Sequence, residues 1–371
     1  MLFNSAAVRE SSFIDSWIFF AVAALLAVGV IMVLNTSYLY AQERFSDGTY
    51  FFRKQLMAVV IGLIGLAVAA LVPCTAYRRF AAPLLLFTIC ALALVLIPGI
   101  GLARGGARRW LPIGGFAFQP GELAKLSLVL YLAHSLAKKG PKIKTFKMGV
   151  LPYLIVGGIL LGLIVLEPDL GTCLILGLIL LIMLFVSGIR IKHLVAICLP
   201  AVPVAALLVF VAPYRLQRIL VFLDPWKDPA RSGFQIIQSY IAFGSGQLFG
   251  RGLGESRQKL FYLPEAHTDF IFSVVGEELG LLGSLTVLML FGVIIWRGIK
   301  LSLRLDDPFA QYLALGLTAL IGLQALIHMG VVMGLMPTKG LVLPFISYGG
   351  SAMLVNLTAA GMLLSLSRGR T

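Results

Sequence analysis

Residues 263–296 read LPEAHTDFIFSVVGEELGLLGSLTVLMLFGVIIW, a stretch that passes from polar residues directly into an apolar run. Glu265, His267, Thr268 and Asp269 stand immediately before this run, which is longer than the roughly 20 residues that cross a bilayer. A carboxylate at such a boundary is costly unless it is paired, hydrated or used in chemistry. The stretch therefore predicts a membrane helix with a candidate functional acid, Asp269, at its start.

The rest of the chain has the same apolar character. Of its 371 residues, 59% are apolar and 12% are charged, whereas soluble domains carry about 25% charged residues. This composition excludes an ordinary soluble enzyme and predicts an all-α polytopic membrane protein that forms one domain over residues 1–371. About ten transmembrane helices are expected, at residues 16–36, 56–73, 81–98, 119–137, 149–166, 170–188, 192–213, 268–296, 309–335 and 341–366.

The basic residues predict the orientation. If the N-terminus is inside, more Lys and Arg residues lie in the inner short loops than in the outer ones, as the positive-inside rule requires. Both termini are then cytoplasmic, and Asp269 lies on the outer face. The net charge of +14 is spread over loops, which favours contact with anionic membrane lipids and not with nucleic acid.

One large extracytoplasmic loop is expected at about 214–267, between the seventh and eighth spans. Loops of this length are usually functional or disordered, and this one is rich in aromatic residues. Residues 234–243 combine helical apolar spacing with a polar side. They predict an amphipathic helix along the membrane surface.

Several ionisable residues stand where lipid is expected. Glu122 and Lys125 are three residues apart and share a helix face, either as a buried structural ion pair or as a pair that contacts a lipid phosphate or switches the site. Asp169 stands in a predicted outer turn. Its negative charge either stabilises the N-terminus of the next helix or contributes to the outer cavity. Of Glu277 and Glu278, at least one must face protein or water.

Asp269 itself allows two interpretations. If Thr268 is the N-cap, Asp269 lies in the first helical turn, where carboxylates are common for structural reasons. Alternatively, Asp269, Ser273 and Gly276 form a small, polar face that admits another molecule. The last outer turn, residues 336–351, is predicted to line the same cavity as a bent helix entry.

Eight segments, in order along nearly the whole chain, together resemble the SEDS family of bacterial cell-wall polymerases. Two further motifs, Pro337–Gly340 and Pro225–Pro229, look like the division members of the family and not the elongation members. The eight segments are Arg108–Trp110, Phe118–Lys125, Glu167–Thr172, Asp224-Pro225 with Asp228-Pro229, Gly233–Ser239, Leu263–Phe272, Gly276–Gly280 and Leu343–Ser351.

The resemblance implies a peptidoglycan glycosyltransferase of the bacterial inner membrane that uses lipid II during cell division. It also implies a class B penicillin-binding protein, a transpeptidase, as partner, together with other membrane proteins of the division machinery. The family motif places the catalytic acid at Asp269.

We therefore expect Asp269 to act as general base on the GlcNAc 4-hydroxyl of lipid II, which attacks the donor sugar and displaces undecaprenyl diphosphate with inversion. The diphosphate needs cations, or a divalent ion such as Mg²⁺ or Mn²⁺. The candidate substrate-binding residues are Arg109, Trp110, Asp169, Arg215, Arg218, Lys259, Glu265, His267, Lys339 and Ser347.

Two other functions remain open on the sequence alone. A flippase or transporter of the same lipid would need a polar path through the full depth of the membrane. A non-catalytic scaffold of the division machinery would not require Asp269.

Overall fold

The computed structural model of the chain describes residues 14–104, 106–259, 263–264 and 266–369. Glu265 lies outside these described residues. Within them, twelve α-helices make up most of the molecule: α1 Ser16–Phe45, α2 Tyr50–Leu71, α3 Cys74–Leu96, α4 Pro120–Lys139, α5 Leu151–Leu166, α6 Leu170–Val186, α7 Ile191–Phe210, α8 Pro213–Leu223, α9 Phe234–Gly246, α10 Ile271–Arg304, α11 Pro308–Val332 and α12 Gly350–Ser367.

The prediction of an all-α polytopic membrane protein is confirmed. Each of the ten predicted spans corresponds to one helix, α1 to α7 and α10 to α12. Among the described residues, eight helices are long and apolar enough to cross a membrane, and α6 is a shorter apolar helix.

Several spans differ from their predicted bounds: the first continues to Phe45 and the third begins at Cys74, and the last and the eighth differ near the candidate site. The last was expected from residue 341 but begins at Gly350, because Pro344 and the two following glycines interrupt a helix there. The eighth begins at Ile271 and continues to Arg304.

A small antiparallel sheet joins α3 to α4, which the sequence did not predict. Its strands are β1 Leu102–Arg104, β2 Ala107–Ile113 and β3 Phe116–Phe118, in the order β1-β2-β3. The β2 strand carries Arg109 and Trp110. The sheet therefore carries two of the candidate residues in the connection between α3 and α4.

The core lies around α11 and α12, which are the most deeply buried of the apolar helices, whereas α7 contributes no buried residue. α12 packs against α2, and α11 packs against α10 and α4. Small residues allow the close approach of α2 and α12: a Cβ on Gly361 would lie 2.3 Å from the carbonyl oxygen of Leu66.

α10 is broken at Gly280, whose φ of 67° and ψ of −163° are not helical. Glycine tolerates this backbone conformation, and other residues are strained in it. The outer segment 247–252 fills the break by exchanging backbone hydrogen bonds with it: Leu281 N to Gln247 O (2.9 Å), Leu282 N to Leu248 O (3.2 Å), Arg251 N to Glu277 O (3.0 Å) and Gly252 N to Glu278 O (3.1 Å).

The outer segment between α7 and α10 contains α8 and α9. α9 covers the residues for which a helix was predicted, but it does not lie only along the membrane surface. It packs against α10, where the hydroxyls of Ser239 and Ser273 are 2.7 Å apart and the ring of Phe243 lies against Gly276.

Candidate functional site

Asp269 lies in a turn just before α10. The N-cap position is Phe270, and no side chain caps the helix, so the interpretation of Thr268 as the N-cap is wrong. The half-buried carboxylate of Asp269 faces the backbone of Gly340: a Cβ at residue 340 would lie 3.0 Å from Asp269 Oδ2. Glycine at this position therefore lets the last outer turn approach the carboxylate closely.

Two outer segments meet at Asp269, and we call them together the outer junction (residues 266–270 and 338–348). Ser347 Oγ donates to Thr268 O at 2.8 Å and accepts from Leu343 N at 2.9 Å. Tyr348 N donates to His267 O at 3.0 Å. The predicted contribution of the last outer turn to the cavity thus takes the form of backbone pairing with the Asp269 segment, and Ser347 acts as a bridge between the two.

His267 anchors the outer junction to the first two helices. Its ring is buried, and its centroid lies 4.8 Å from that of Phe51 and 5.7 Å from those of Tyr40 and Tyr348. A ring packed in this way supports the position of Asp269 two residues later more directly than it offers a surface to a substrate.

Two cationic side chains approach the same loop. Lys339 directly precedes Gly340, and Arg218 of α8 donates to Thr338 O at 3.3 Å. Burial lowers the pKa of Lys339 below its ordinary value. Arg215, one turn earlier on α8, donates to Leu208 O at 2.8 Å. The outer junction therefore combines a carboxylate with Lys339 and Arg218.

Lys259 was expected to bind a diphosphate, but it is engaged elsewhere. Its Nζ is 3.1 Å from Glu278 Oε1 and 2.6 Å from Asn35 Oδ1, and its side chain is largely buried. Binding an external phosphate would require Lys259 to leave this ion pair.

The turn between α5 and α6 collects Arg109 and Asp169. Arg109 donates from Nε to Glu167 O at 2.9 Å and from Nη2 to Pro168 O at 2.5 Å. Asp169 is the N-cap of α6 and accepts from Thr172 N at 3.1 Å. The structural interpretation of Asp169 thus matches its contacts, and Arg109 braces the same turn.

Glu167 in this turn was not singled out as a site residue. Its pKa is raised to about 8, chiefly by burial and also by the charge of Asp169, while Arg109 opposes the shift. The carboxyl group is thus mostly protonated at neutral pH, because its charged form loses hydration when buried.

The Glu122–Lys125 pair is fully buried in α4, with Lys125 Nζ 2.8 Å from Glu122 Oε2. A pair buried in this way does not contact a lipid phosphate, and its structural role is the one the contacts support. Lys125 Nζ also donates to Gln324 Oε1 at 3.1 Å, and Gln324 Nε2 donates to Val342 O at 3.0 Å. The pair is therefore connected to the loop that carries Gly340.

Gln324 and His328 of α11 were missed by the sequence analysis. Both are buried, and His328 Nδ1 is 2.7 Å from Leu341 O. Their spacing of four residues on an apolar helix was the available signal, since polar side chains inside membrane helices are usually functional or paired.

The small face of α10 is closed. Ser273 and Gly276 were expected to admit another molecule, but Ser239 and Phe243 of α9 occupy that face. The predicted small, polar face of α10 is therefore not open to another molecule. Among the described residues, no group of three or more His, Cys, Asp or Glu side chains could hold a metal ion.

Comparison with known proteins gives consistent results. The model of the family described as cell cycle protein (FtsW, RodA and SpoVE) matches residues 16–371. The probable peptidoglycan glycosyltransferase FtsW of Geobacter sulfurreducens is 46% identical over 97% of this chain and 96% of its own length. Stage V sporulation protein E of Bacillus subtilis is 43% identical over 93% of this chain and 94% of its own.

Solved structures agree with these sequence relatives. One chain of a peptidoglycan synthase complex, described as coordinating polymerization and crosslinking, superposes with a TM-score of 0.78 at 28% identity, covering 96% of this chain and 98% of that one. The rod shape determining protein RodA of Thermus thermophilus superposes with a TM-score of 0.72 at 28% identity, over 96% and 97% of the two chains.

Proposed function

Because the chain belongs to the FtsW, RodA and SpoVE family of cell cycle proteins, we propose that it polymerises peptidoglycan glycan strands from lipid II during cell division. Its enzyme class is peptidoglycan glycosyltransferase, the class that its curated relatives carry at 41–46% identity. The observation that carries the finer proposal is the outer junction, where the half-buried Asp269 lies against Gly340, in a loop that contains Lys339 and accepts a hydrogen bond from Arg218.

Asp269 is the proposed general base. Its carboxylate takes the proton of the GlcNAc 4-hydroxyl of the acceptor, and the oxygen forms a bond to C1 of the donor MurNAc. The bond from C1 to the diphosphate oxygen breaks, undecaprenyl diphosphate leaves with the electron pair, and C1 is inverted. The proton on Asp269 then returns to solvent, which restores the carboxylate.

Cations of the outer junction would stabilise the leaving group. The departing diphosphate gains negative charge, and preorganised positive groups lower the barrier where charge develops. Lys339 and Arg218 are the candidates for this role, since Lys339 lies in the loop that passes Asp269 and Arg218 of α8 donates to the Thr338 carbonyl of that loop. A divalent cation bound with the diphosphate is a further candidate for the same work.

The location and partner follow the same proposal. Lipid II presents its head group on the outer face of the inner membrane, which is the face on which charge distribution places Asp269, with both termini in the cytoplasm. A class B penicillin-binding protein would crosslink the strands. The likeness to one chain of a peptidoglycan synthase complex supports such a partner.

The test is polymerisation of fluorescent lipid II by the purified protein with its cognate transpeptidase. We expect a ladder of glycan strands from the wild type and from Glu43→Gln, a control that neutralises an exposed carboxylate on the outer end of α1. Asp269→Asn, which leaves the shape of the side chain nearly unchanged, should give no ladder.

Two other results would contradict the proposal. A ladder from Asp269→Asn as strong as that from the wild type would remove Asp269 from the chemistry. If the wild type makes no strands while it binds its partner, lipid flipping in proteoliposomes becomes the next assay, and activity there would indicate a transporter. Activity in neither assay would indicate a scaffold.

A further inference from the structure

Glu277 and Glu278 are two adjacent carboxylates, each only 1% exposed, in the half of α10 that precedes the break at Gly280. Buried carboxylates are unfavourable unless hydrogen bonds and opposite charge compensate for lost hydration. Most partners of the two side chains come from one stretch of the outer loop, residues 256–259, and a further partner is Asn35 of α1. This concentration of partners is what requires an explanation.

Glu277 binds this stretch mainly through its backbone. Its carboxylate accepts from Arg257 N at 3.1 Å, from Gln258 N at 3.3 Å and from the hydroxyl of Ser256. A carboxylate that accepts three hydrogen bonds fixes the path of the chain opposite it, because backbone N–H groups cannot change rotamer.

Glu278 binds the same stretch by charge and also reaches α1. Lys259 Nζ is 3.1 Å from Glu278 Oε1, Ser256 N donates to the same oxygen at 3.3 Å, and the amide of Asn35 donates to Oε2. Lys259 additionally donates to Asn35 Oδ1 at 2.6 Å. α1, α10 and the outer loop are therefore joined through a single buried ion pair.

We call Glu277, Glu278, Asn35 and residues 256–259 the carboxylate clamp. It lies next to the backbone exchange at the α10 break, where segment 247–252 is already bonded to residues 277–282. Two neighbouring segments are thus held on α10: residues 247–252 by backbone hydrogen bonds and residues 256–259 by the side chains of Glu277 and Glu278.

Asp269 lies between the two halves of the clamp along the chain. The chain leaves the clamp at Lys259, passes through Asp269 and returns to it at Glu277, about two helical turns later. Any movement of residues 256–259 relative to α10 therefore changes the ends of the segment that carries the proposed base.

We propose that Glu277 and Glu278 are positioning residues, which hold Asp269 in place for glycan polymerisation through their contacts with residues 256–259. The inference rests on the function proposed above. Lys259 belongs to the clamp in this view and does not bind the diphosphate. A displacement of about 1 Å in a reacting group can reduce the rate by about 100-fold.

A double-mutant cycle tests the ion pair. Glu278→Gln alone leaves the Lys259 ammonium buried without its counter-charge. Lys259→Met alone leaves the Glu278 carboxylate buried without its counter-charge. We expect each single variant to lose about tenfold or more in kcat with little change in KM for lipid II, and the double variant to recover most of that loss.

Two outcomes of the cycle would overturn the proposal. If the losses of the single variants simply multiply in the double variant, the pair is not acting as a unit. If Lys259→Met raises KM for lipid II and the double variant does not restore it, Lys259 is a substrate ligand. Every kcat is calculated per folded protein at the assay temperature, so that the stability lost in the single variants does not enter the comparison.

Hydrogen exchange gives a readout that does not depend on polymerisation. In Glu277→Gln, an amide NH₂ replaces one carboxylate oxygen, and the other becomes a neutral carbonyl oxygen, which is a weaker acceptor. We expect faster hydrogen exchange of residues 253–259 together with a lower kcat. Glu255→Gln is the matched control, since Glu255 is an exposed carboxylate in the same loop, and it should change neither.

The two proposals fail separately. If the wild type makes no glycan, the proposed function fails, while exchange of residues 253–259 still reports whether Glu277 holds the loop. If exchange rises in Glu277→Gln and kcat stays at the wild-type value, the clamp exists but does not position Asp269, and the positioning role is contradicted.

Discussion

The outer junction and the carboxylate clamp use the same chemical group in opposite ways, although both involve α10. In the clamp, Glu277 and Glu278 are buried and bonded to residues 256–259 and Asn35. At the outer junction, Asp269 is half-buried and faces Gly340 where the chain is not helical. Full burial with several hydrogen bonds indicates a structural role for Glu277 and Glu278, and the incomplete burial of Asp269 beside a glycine supports its proposed role in chemistry.

The Glu122–Lys125 pair extends the comparison to a second buried site. Lys125→Met should lower the free energy of unfolding by about 3–5 kcal/mol, because it leaves Glu122 buried without its counter-charge. The double variant with Glu122→Gln should recover most of that stability. Unfolding of the detergent-solubilised protein measures both. If Lys125→Met lost polymerisation while its stability stayed unchanged, the Glu122–Lys125 pair would have a role in the reaction and not in stability.

Moving the Asp269 carboxylate tests its assignment to chemistry. Asp269→Glu keeps the carboxylate but advances it by one methylene, and misplacement by about 1 Å can reduce kcat by about 100-fold. The melting temperature should change little, since Asp269 precedes α10, whose N-cap position is Phe270, and Asp269→Glu keeps the charge. A variant with normal kcat would show that the position of the carboxylate is not critical.

Glu167 is a buried carboxyl whose protonation should control stability. Its pKa rises from 4.5 to about 8 on burial, so in that pH range the folded state holds a proton that the unfolded state has lost. Stability contributed by this residue therefore falls as pH rises from 4.5 to 8, by at most about 1.4 kcal/mol per pH unit.

Glu167→Gln removes this titration, so its melting temperature should depend less on pH than that of the wild type between pH 5 and pH 8. Thermal unfolding at several pH values measures the difference. Equal slopes for the two proteins would show that Glu167 is hydrated in the folded state.

Lys339 should produce the smallest change. Because burial lowers its pKa below 10.5, its ammonium loses charge at a lower pH than an exposed lysine, and polymerisation should decline earlier on the alkaline side. Lys339→Arg keeps the charge at all these pH values. The pH–rate profile of Lys339→Arg should show an alkaline limb at higher pH than that of the wild type, and coincident limbs would exclude a role for the charge of Lys339.

The sequence predicted the features that depend on local patterns. Ten helices could be located because each span needs roughly 20 apolar residues, and the Glu122–Lys125 pair followed from spacing on one helix. The order of polar residues around Asp269 led to the proposed site through the family resemblance.

The remaining features depend on contacts between distant parts of the chain. Asn35 meets Glu278, and Gly340 meets Asp269, only after the helices assemble. The break at Gly280 exists because residues 247–252 supply its hydrogen bonds, and periodicity contains no information about such a partner. Thr268 resembles an N-cap in the local pattern. In the structure its carbonyl accepts from Ser347, a residue of a distant segment, and the helix begins only at Ile271.

The most direct test of this division of roles measures polymerisation and hydrogen exchange on the same preparation of Asp269→Asn, bound to its transpeptidase partner. We predict loss of glycan synthesis with exchange of residues 253–259 unchanged from the wild type, since the clamp does not include Asp269. Glycan synthesis at the wild-type rate, with the same unchanged exchange, would contradict the assignment of chemistry to the outer junction.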